Sequence, residues 1–362
     1  MKNILKFKNL ASILLNILAI IGMSGILTSC SVVYEDLEPC PDPKVKVPVK
    51  LYYFTDFYVW NHSYDPLIGK IKEVDPSLNL FPGYPGTSSK YSNNLSQGVV
   101  DIHVKVYRSS DIHKVVAEEV FSSRIDPAGY DTEFELELDP DESYTVAVWS
   151  QFRESDQSGY FYDPSDFHSI GLISDNYRGN TDFRDGFSAT AIIETTGKNP
   201  QAPVVMNMTR PMGKFELITV DLSEFLERET WRRGLATRAS ADEYHVQISF
   251  PMYYPNSYSA IDDRLENSVS GVSFMTRMTV TGTSEASLGY EYVLINDIPD
   301  AGVQMRVDIF DPSYTHVAGS TMLTVPLRRD CHTILKGTFL LVEGDGGIGI
   351  DPGFNGDHNI TI

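Results

Sequence analysis

Apolar side chains at every second position constrain this chain more than any other feature. Val45, Val47, Val49, Leu51 and Tyr53 alternate with Lys44, Lys46, Pro48, Lys50 and Tyr52. Successive side chains point to opposite faces of a strand, so this run predicts a half-buried strand with one greasy face. Pro48 lies on the polar face and predicts an edge position, because proline donates nothing to a ladder. The period returns in Val100, Ile102, Val104 and Val106, in Phe134, Leu136 and Leu138, and in Tyr144, Val146 and Val148. Turn formers separate the runs, notably Asp126-Pro127-Ala128-Gly129 and Asp139-Pro140-Asp141. An antiparallel sandwich buries such faces against one another.

A second strand series begins at Met212-Gly213-Lys214-Phe215-Glu216-Leu217-Ile218 and resumes at Tyr244, Val246, Ile248 and Phe250. Further runs lie near 272–281, 290–295, 303–310, 320–325 and 333–341. One short helix is expected after Asp221, with Glu224 in capping-box position and Leu222, Phe225 and Leu226 as its apolar contacts. The helix should end in Arg232-Arg233-Gly234-Leu235-Ala236-Thr237-Arg238-Ala239-Ser240, an exposed basic loop. Gly197-Lys198-Asn199-Pro200 marks the boundary between domains of residues 44–200 and 201–343. Residues 344–362 form a glycine-rich extension with apolar islands at Ile348, Ile350 and Phe354. Two stretches break the strand pattern. Residues 54–98 read as an irregular excursion, and 153–188 mix acids with many aromatic rings.

Lys2, Lys6 and Lys8 precede an apolar run from Leu10 to about Ile26, the layout of an export signal rather than a spanning helix. Leu27-Thr28-Ser29-Cys30 resembles a bacterial lipobox, which implies removal of residues 1–29 and lipidation of Cys30. Acyl chains favour the bilayer by about 0.8 kcal/mol per buried CH₂, so the expectation is a membrane-anchored protein. Residues 30–43 then serve as a tether, and Glu35, Asp36 and Glu38 resemble the acidic export signal of Bacteroidetes surface lipoproteins. Outer membrane with surface exposure is the expected location. Residues 1–29 carry three lysines and no acid, so their loss moves the net charge from −20 to −23. Such acidity disfavours nucleic acid as a partner. Cys40 and Cys331 either pair, which an exported protein permits, or remain one buried and one loop thiol.

Three segments resemble the fimbrillin and fimbrial-anchor families of Bacteroidetes, of the FimB and Mfa type. Tyr34-Glu35-Asp36-Leu37-Glu38-Pro39-Cys40 after the lipobox resembles the start of the anchor subunits. Arg210-Pro211-Met212-Gly213-Lys214-Phe215-Glu216 is similar to their inter-domain junction. Val325-Pro326-Leu327-Arg328-Arg329-Asp330-Cys331-His332-Thr333-Ile334-Leu335-Lys336-Gly337 is similar to their closing strand pair, with Asp330-Cys331 where asparagine is commoner. The resemblance implies an all-β fold of two transthyretin-like or Ig-like β-sandwich domains, with the short helix in the second. It implies a non-enzymatic anchor or accessory subunit of fimbriae, binding pilin-like subunits by β-strand addition. No arginine lies between Cys30 and the first strand, so the trimming of related pilins has no matching site here. Ile348, Ile350 and Phe354 are the candidate partner-binding residues.

The chemistry of active sites has no sequence signature here. The eight histidines show no paired spacing, and there is no G-x-S-x-G, phosphate loop or dinucleotide glycine pattern. No catalytic residue, metal ligand or cofactor is therefore assigned. Asp139-Pro140-Asp141-Glu142 and Asp163-Pro164-Ser165-Asp166 offer carboxylates but lack the ligand spacing of a calcium loop. The aromatic stretch has two readings. Its rings either fold beneath the loop as a satellite cluster, or Tyr160 and Tyr162 grip a glycan. The second would make the protein a glycan-binding surface lipoprotein of a polysaccharide-uptake system.

Overall fold

Strand-forming runs with one or two apolar faces need a partner sheet, and the computed structural model shows how they find one. It describes residues 44–53, 57–65, 70–73, 98–124, 132–197, 201–298, 301–320 and 322–341. The export signal, Cys30, Cys40 and the islands Ile348, Ile350 and Phe354 lie outside the described residues.

The first sandwich stacks a three-stranded and a four-stranded sheet. In the former, β1 (Val45–Tyr53) lies between β6 (Thr132–Leu138) and β11 (Val204–Met208). In the latter the order is β10 (Gly186–Glu194), β7 (Ser143–Arg153), β4 (Val99–Arg108) and β5 (Asp111–Arg124). Val45, Val47, Val49 and Leu51 of β1 meet Val100, Ile102, Val104 and Val106 of β4 and Val146 and Val148 of β7 in one core. β1 is central, not the edge that Pro48 suggested. Its pairing with β11 begins only at Val49, so the missing N–H of Pro48 removes nothing from that ladder.

The second sandwich is built around a six-stranded sheet of order β17 (Thr279–Val280), β18 (Ala286–Leu294), β12 (Met212–Thr219), β22 (Cys331–Gly337), β2 (Tyr58–Asp65) and β3 (Lys70–Glu73). Facing it are β16 (Val272–Arg277), β13 (His245–Phe250), β19 (Gly302–Phe310) and β20 (His316–Gly319), with β21 (Leu323–Pro326) also on β19. Phe215, Leu217, Val246, Ile248, Met305 and Val307 share its core. A small sheet of β15 (Arg264–Val269), β14 (Tyr254–Ser259), β9 (Ile170–Leu172) and β8 (Tyr162–Asp163) completes the fold.

Three expectations are corrected. The stretch 54–98 contains β2 and β3, and β2 runs parallel to β22 from Tyr58↔Cys331 to Tyr64↔Gly337. Trp60, His62 and Tyr64 are buried at alternate positions, a two-residue period that polar neighbours disguise. Secondly, the sandwiches are mixed rather than purely antiparallel, since β1–β11, β12–β22 and β2–β22 are parallel pairs joined by long connections. Thirdly, the helix α1 (Leu222–Arg232) forms as expected, yet Asp221 at its N-cap makes no side-chain capping bond. Its buried carboxylate instead accepts the backbone N–H groups of Leu340 at 3.1 Å and Leu341 at 2.9 Å, and the Thr219 hydroxyl. A charged acceptor held inside the fold satisfies donors that would otherwise lose water unpaid.

Candidate functional site

One side of the first sandwich is stitched shut and the other is not. At the closed side Ser188 of β10 and Thr209, just beyond β11, exchange both backbone hydrogen bonds, at 2.8 and 3.1 Å. At the opposite side stand β5 and β6, the terminal strands of their sheets. Among the described residues neither has a second strand neighbour. Phe121 of β5 and Phe134 of β6 stack across this margin with centroids 4.9 Å apart. β5 has fourteen residues, about 46 Å at the rise of a strand. Val120 is 51% exposed, and Val115 and Val116 are exposed as well.

A long edge strand carrying exposed valines displays unpaired N–H and C=O groups, which is the template for adding another strand. Lys114, Glu118 and Glu119 on the same strand are the usual defence against indiscriminate pairing. Sequence reasoning missed β5. Its register with β4 shifts between Val106↔Ala117 and Tyr107↔Val115, so one extra residue, Val116, reverses the inside–outside parity midway. A bulge of this kind erases the alternation by which strands are recognised.

Between the two cores runs a second feature, a seam of buried charges. Arg210 and Asp185 are both fully buried, and the Arg210 Nε donates to Asp185 Oδ2 at 2.9 Å. The Arg210 guanidinium also lies 4.0 Å from the ring centroid of Phe57 and 4.5 Å from that of Phe187. Arg184 pairs with Glu291 at 2.6 Å, and Lys214 with Asp182 at 2.8 Å. His332 faces Glu216 at 3.4 Å, and burial lowers its pKa. Two of the family-like segments meet here, since Arg210 N–H donates to Asp330 at 3.3 Å and Lys214 sits opposite His332 in the β12–β22 ladder. Asp330 holds φ 56°, a left-handed turn that aspartate tolerates much as asparagine does. The Asp330-Cys331 departure therefore preserves the turn. These ionisable residues are occupied with each other and tie the cores together.

The other candidates fall out as follows. Phe161, Tyr162, Phe167, Ile170 and Phe187 are buried in the first core, so most rings of the aromatic stretch fold inward. Tyr162 donates its hydroxyl to the Arg184 carbonyl at 3.1 Å and has no face left for a sugar, which corrects its glycan assignment. Tyr160 is half-buried, under the Arg153 guanidinium at 5.3 Å and edge-on to His103. Cys331 is half-buried and burial pushes its thiol up to about 11. Asp163 and Asp166 accept the backbone N–H groups of Ser165 and His168, both at 2.9 Å, as short turns do. Arg108 engages Asp139 at 3.0 Å and Glu142 at 3.2 Å. Among the described residues no cluster of three metal-ligating side chains occurs, and no helix is long and apolar enough to cross a membrane.

Several solved structures match much of this chain at low identity. A "putative adhesin" of Bacteroides thetaiotaomicron matches at 10% identity over 80% of this chain and 82% of that one, with a TM-score of 0.43. The fimbrial anchor protein Mfa2 of Porphyromonas gingivalis matches at 10% identity over 78% and 97%, with a TM-score of 0.37. A fimbrial assembly protein of Parabacteroides distasonis matches at 11% identity over 82% and 91%, with a TM-score of 0.38. Curated protein sequences yield no match. A family model does match, over residues 82–362, and the chain belongs to that family, described as a family of unknown function, DUF6562.

Proposed function

We propose that this protein is a non-enzymatic, cell-surface lipoprotein that anchors or joins fimbriae by accepting a strand from a pilin-like subunit. The observation that carries the reading is the open margin of the first sandwich, where β5 and β6 end their sheets around the Phe121–Phe134 stack. Backbone groups there can pair with an incoming strand whatever its side chains. Cys30 supplies attachment to the outer membrane through acyl chains, with the two sandwiches held outside it. They are not the contiguous segments 44–200 and 201–343, because β2 and β3 join the second sandwich and β11 the first. The islands Ile348, Ile350 and Phe354 are this chain's own candidate donor positions toward a further subunit.

The test is recovery of partners from native membranes with an affinity-tagged protein. Wild type should bring down pilin-like subunits. A Val116→Lys, Val120→Lys double variant should lose them at least tenfold while keeping its far-UV spectrum, because two charges guard the edge without touching the core. Equal recovery from both would remove β5 as the acceptor. Deletion of 344–362 with recovery unchanged would remove the donor role of the three islands. The alternative, a glycan-binding role in polysaccharide uptake through Tyr160 and Tyr162, is weakened by the burial of Tyr162.

A further inference from the structure

Of the three tryptophans, Trp60 and Trp149 are buried while Trp231 is 80% exposed. Trp231 is the most exposed large apolar side chain among the described residues. Trp231 lies in the last turn of α1 and forms one wall of an open groove of about 390 Å³. Ser223, Glu227 and Thr230 line the groove from the same helix face, and Ala236, Thr237 and Arg238 line it from the loop that follows. Residues three, four and seven apart share a helix face, so the helical wall is a direct product of sequence spacing.

The opposite wall is held in place. Gly234 takes φ +60° and turns the chain back after the helix. Arg238 then donates to the carbonyl oxygen of Ser223 at 3.0 Å and to its hydroxyl at 2.9 Å. Thr230 is bonded on both sides, donating to the Leu226 carbonyl at 2.6 Å and accepting from Ala239 N–H at 2.9 Å. The groove is therefore preformed, as ligand sites mostly are. Arg238 and Glu227 have no ion-pair partner among the described residues, whereas the nearby Arg232 and Arg233 are matched by Glu229, Asp311 and Glu243.

We infer that this groove is a saccharide site, taking one pyranose unit of a neutral glycan. A pyranose has an apolar C–H face that suits the exposed indole, and a rim of hydroxyls that both donate and accept. Glu227 offers acceptors, Arg238 offers donors, and Thr237 offers either. Apart from Ala236 the groups lining the groove around the ring are Ser, Glu, Thr and Arg, a polar rim about one apolar face, as a pyranose needs. The inference does not rest on the strand-addition reading, since the groove and β5 belong to different sandwiches.

The experiment uses the purified protein with maltohexaose, cellohexaose, mannohexaose and galactohexaose as probes. Acrylamide quenching of tryptophan fluorescence reports Trp231, because Trp60 and Trp149 are shielded. At least one probe should slow quenching by twofold or more, saturably. In affinity electrophoresis through the matching polysaccharide, Trp231→Ala should abolish retardation, Trp231→Phe should retain part of it, and Glu227→Gln should weaken it several-fold. Failure of every probe to protect Trp231 would overturn the assignment. So would Trp231→Ala abolishing recovery of a pilin-like subunit while leaving retardation intact, which would make the ring a protein contact.

Discussion

Arg210 is the residue whose loss should cost most. Its guanidinium is fully buried, bonded to the fully buried Asp185 and clamped between Phe57 and Phe187. Arg210→Met keeps most of the volume but leaves Asp185 charged in a place without water. Breaking a buried pair from one side costs about 3–5 kcal/mol, and the lost ring contacts push toward the upper end. With a urea m-value of about 3 kcal/mol/M, a loss of about 4 kcal/mol lowers the unfolding midpoint by about 1.3 M. Asp330 adds only a little to the loss, because its carboxylate is 3.6 Å from the guanidinium and partly solvated. The partner substitution isolates the cause. Asp185→Asn removes the stranded charge, so the double variant should be less destabilised than the sum of the singles by about 2 kcal/mol or more. Urea unfolding followed by tryptophan fluorescence measures all three variants. A cost below about 1 kcal/mol for Arg210→Met, or strict additivity, would refute the view that this pair ties the cores together.

Other perturbations probe separate parts of the structure. Burial lowers the pKa of His103 to about 4, against the nearby Asp101 carboxylate that opposes the shift. The unfolded chain therefore takes up this proton first, so stability present above pH 6.5 is lost as pH falls toward 4, on the order of 3 kcal/mol in all. His103→Gln should flatten the urea midpoint across that window, and an unchanged slope would exonerate His103. Asp221→Ser keeps a good capping residue but withdraws the carboxylate from Leu340 and Leu341. It should cost about 1–3 kcal/mol in a thermal melt, while a neutral or stabilising result would restore capping as the main role of Asp221.

Sequence alone determined the local elements. Where apolar residues recur at every second position the period survives in the residues, and β1, β4, β6, β7 and β19 were legible for that reason, although β4 and β7 are buried on both faces. The helix after Asp221 was legible from its apolar spacing. What needed the tertiary structure is everything decided by partners distant in the chain. Pro48 sits in a central strand because β11 joins only beyond it, and Asp221 serves residues 340 and 341 instead of its own helix. β2 was hidden because its buried face carries Trp60, His62 and Tyr64 in polar company, and β5 because a bulge reverses its parity. Alternation records which side of a strand faces apolar surroundings. It holds nothing about which strand lies alongside, and the open margin, the charged seam and the Trp231 groove all depend on that second fact.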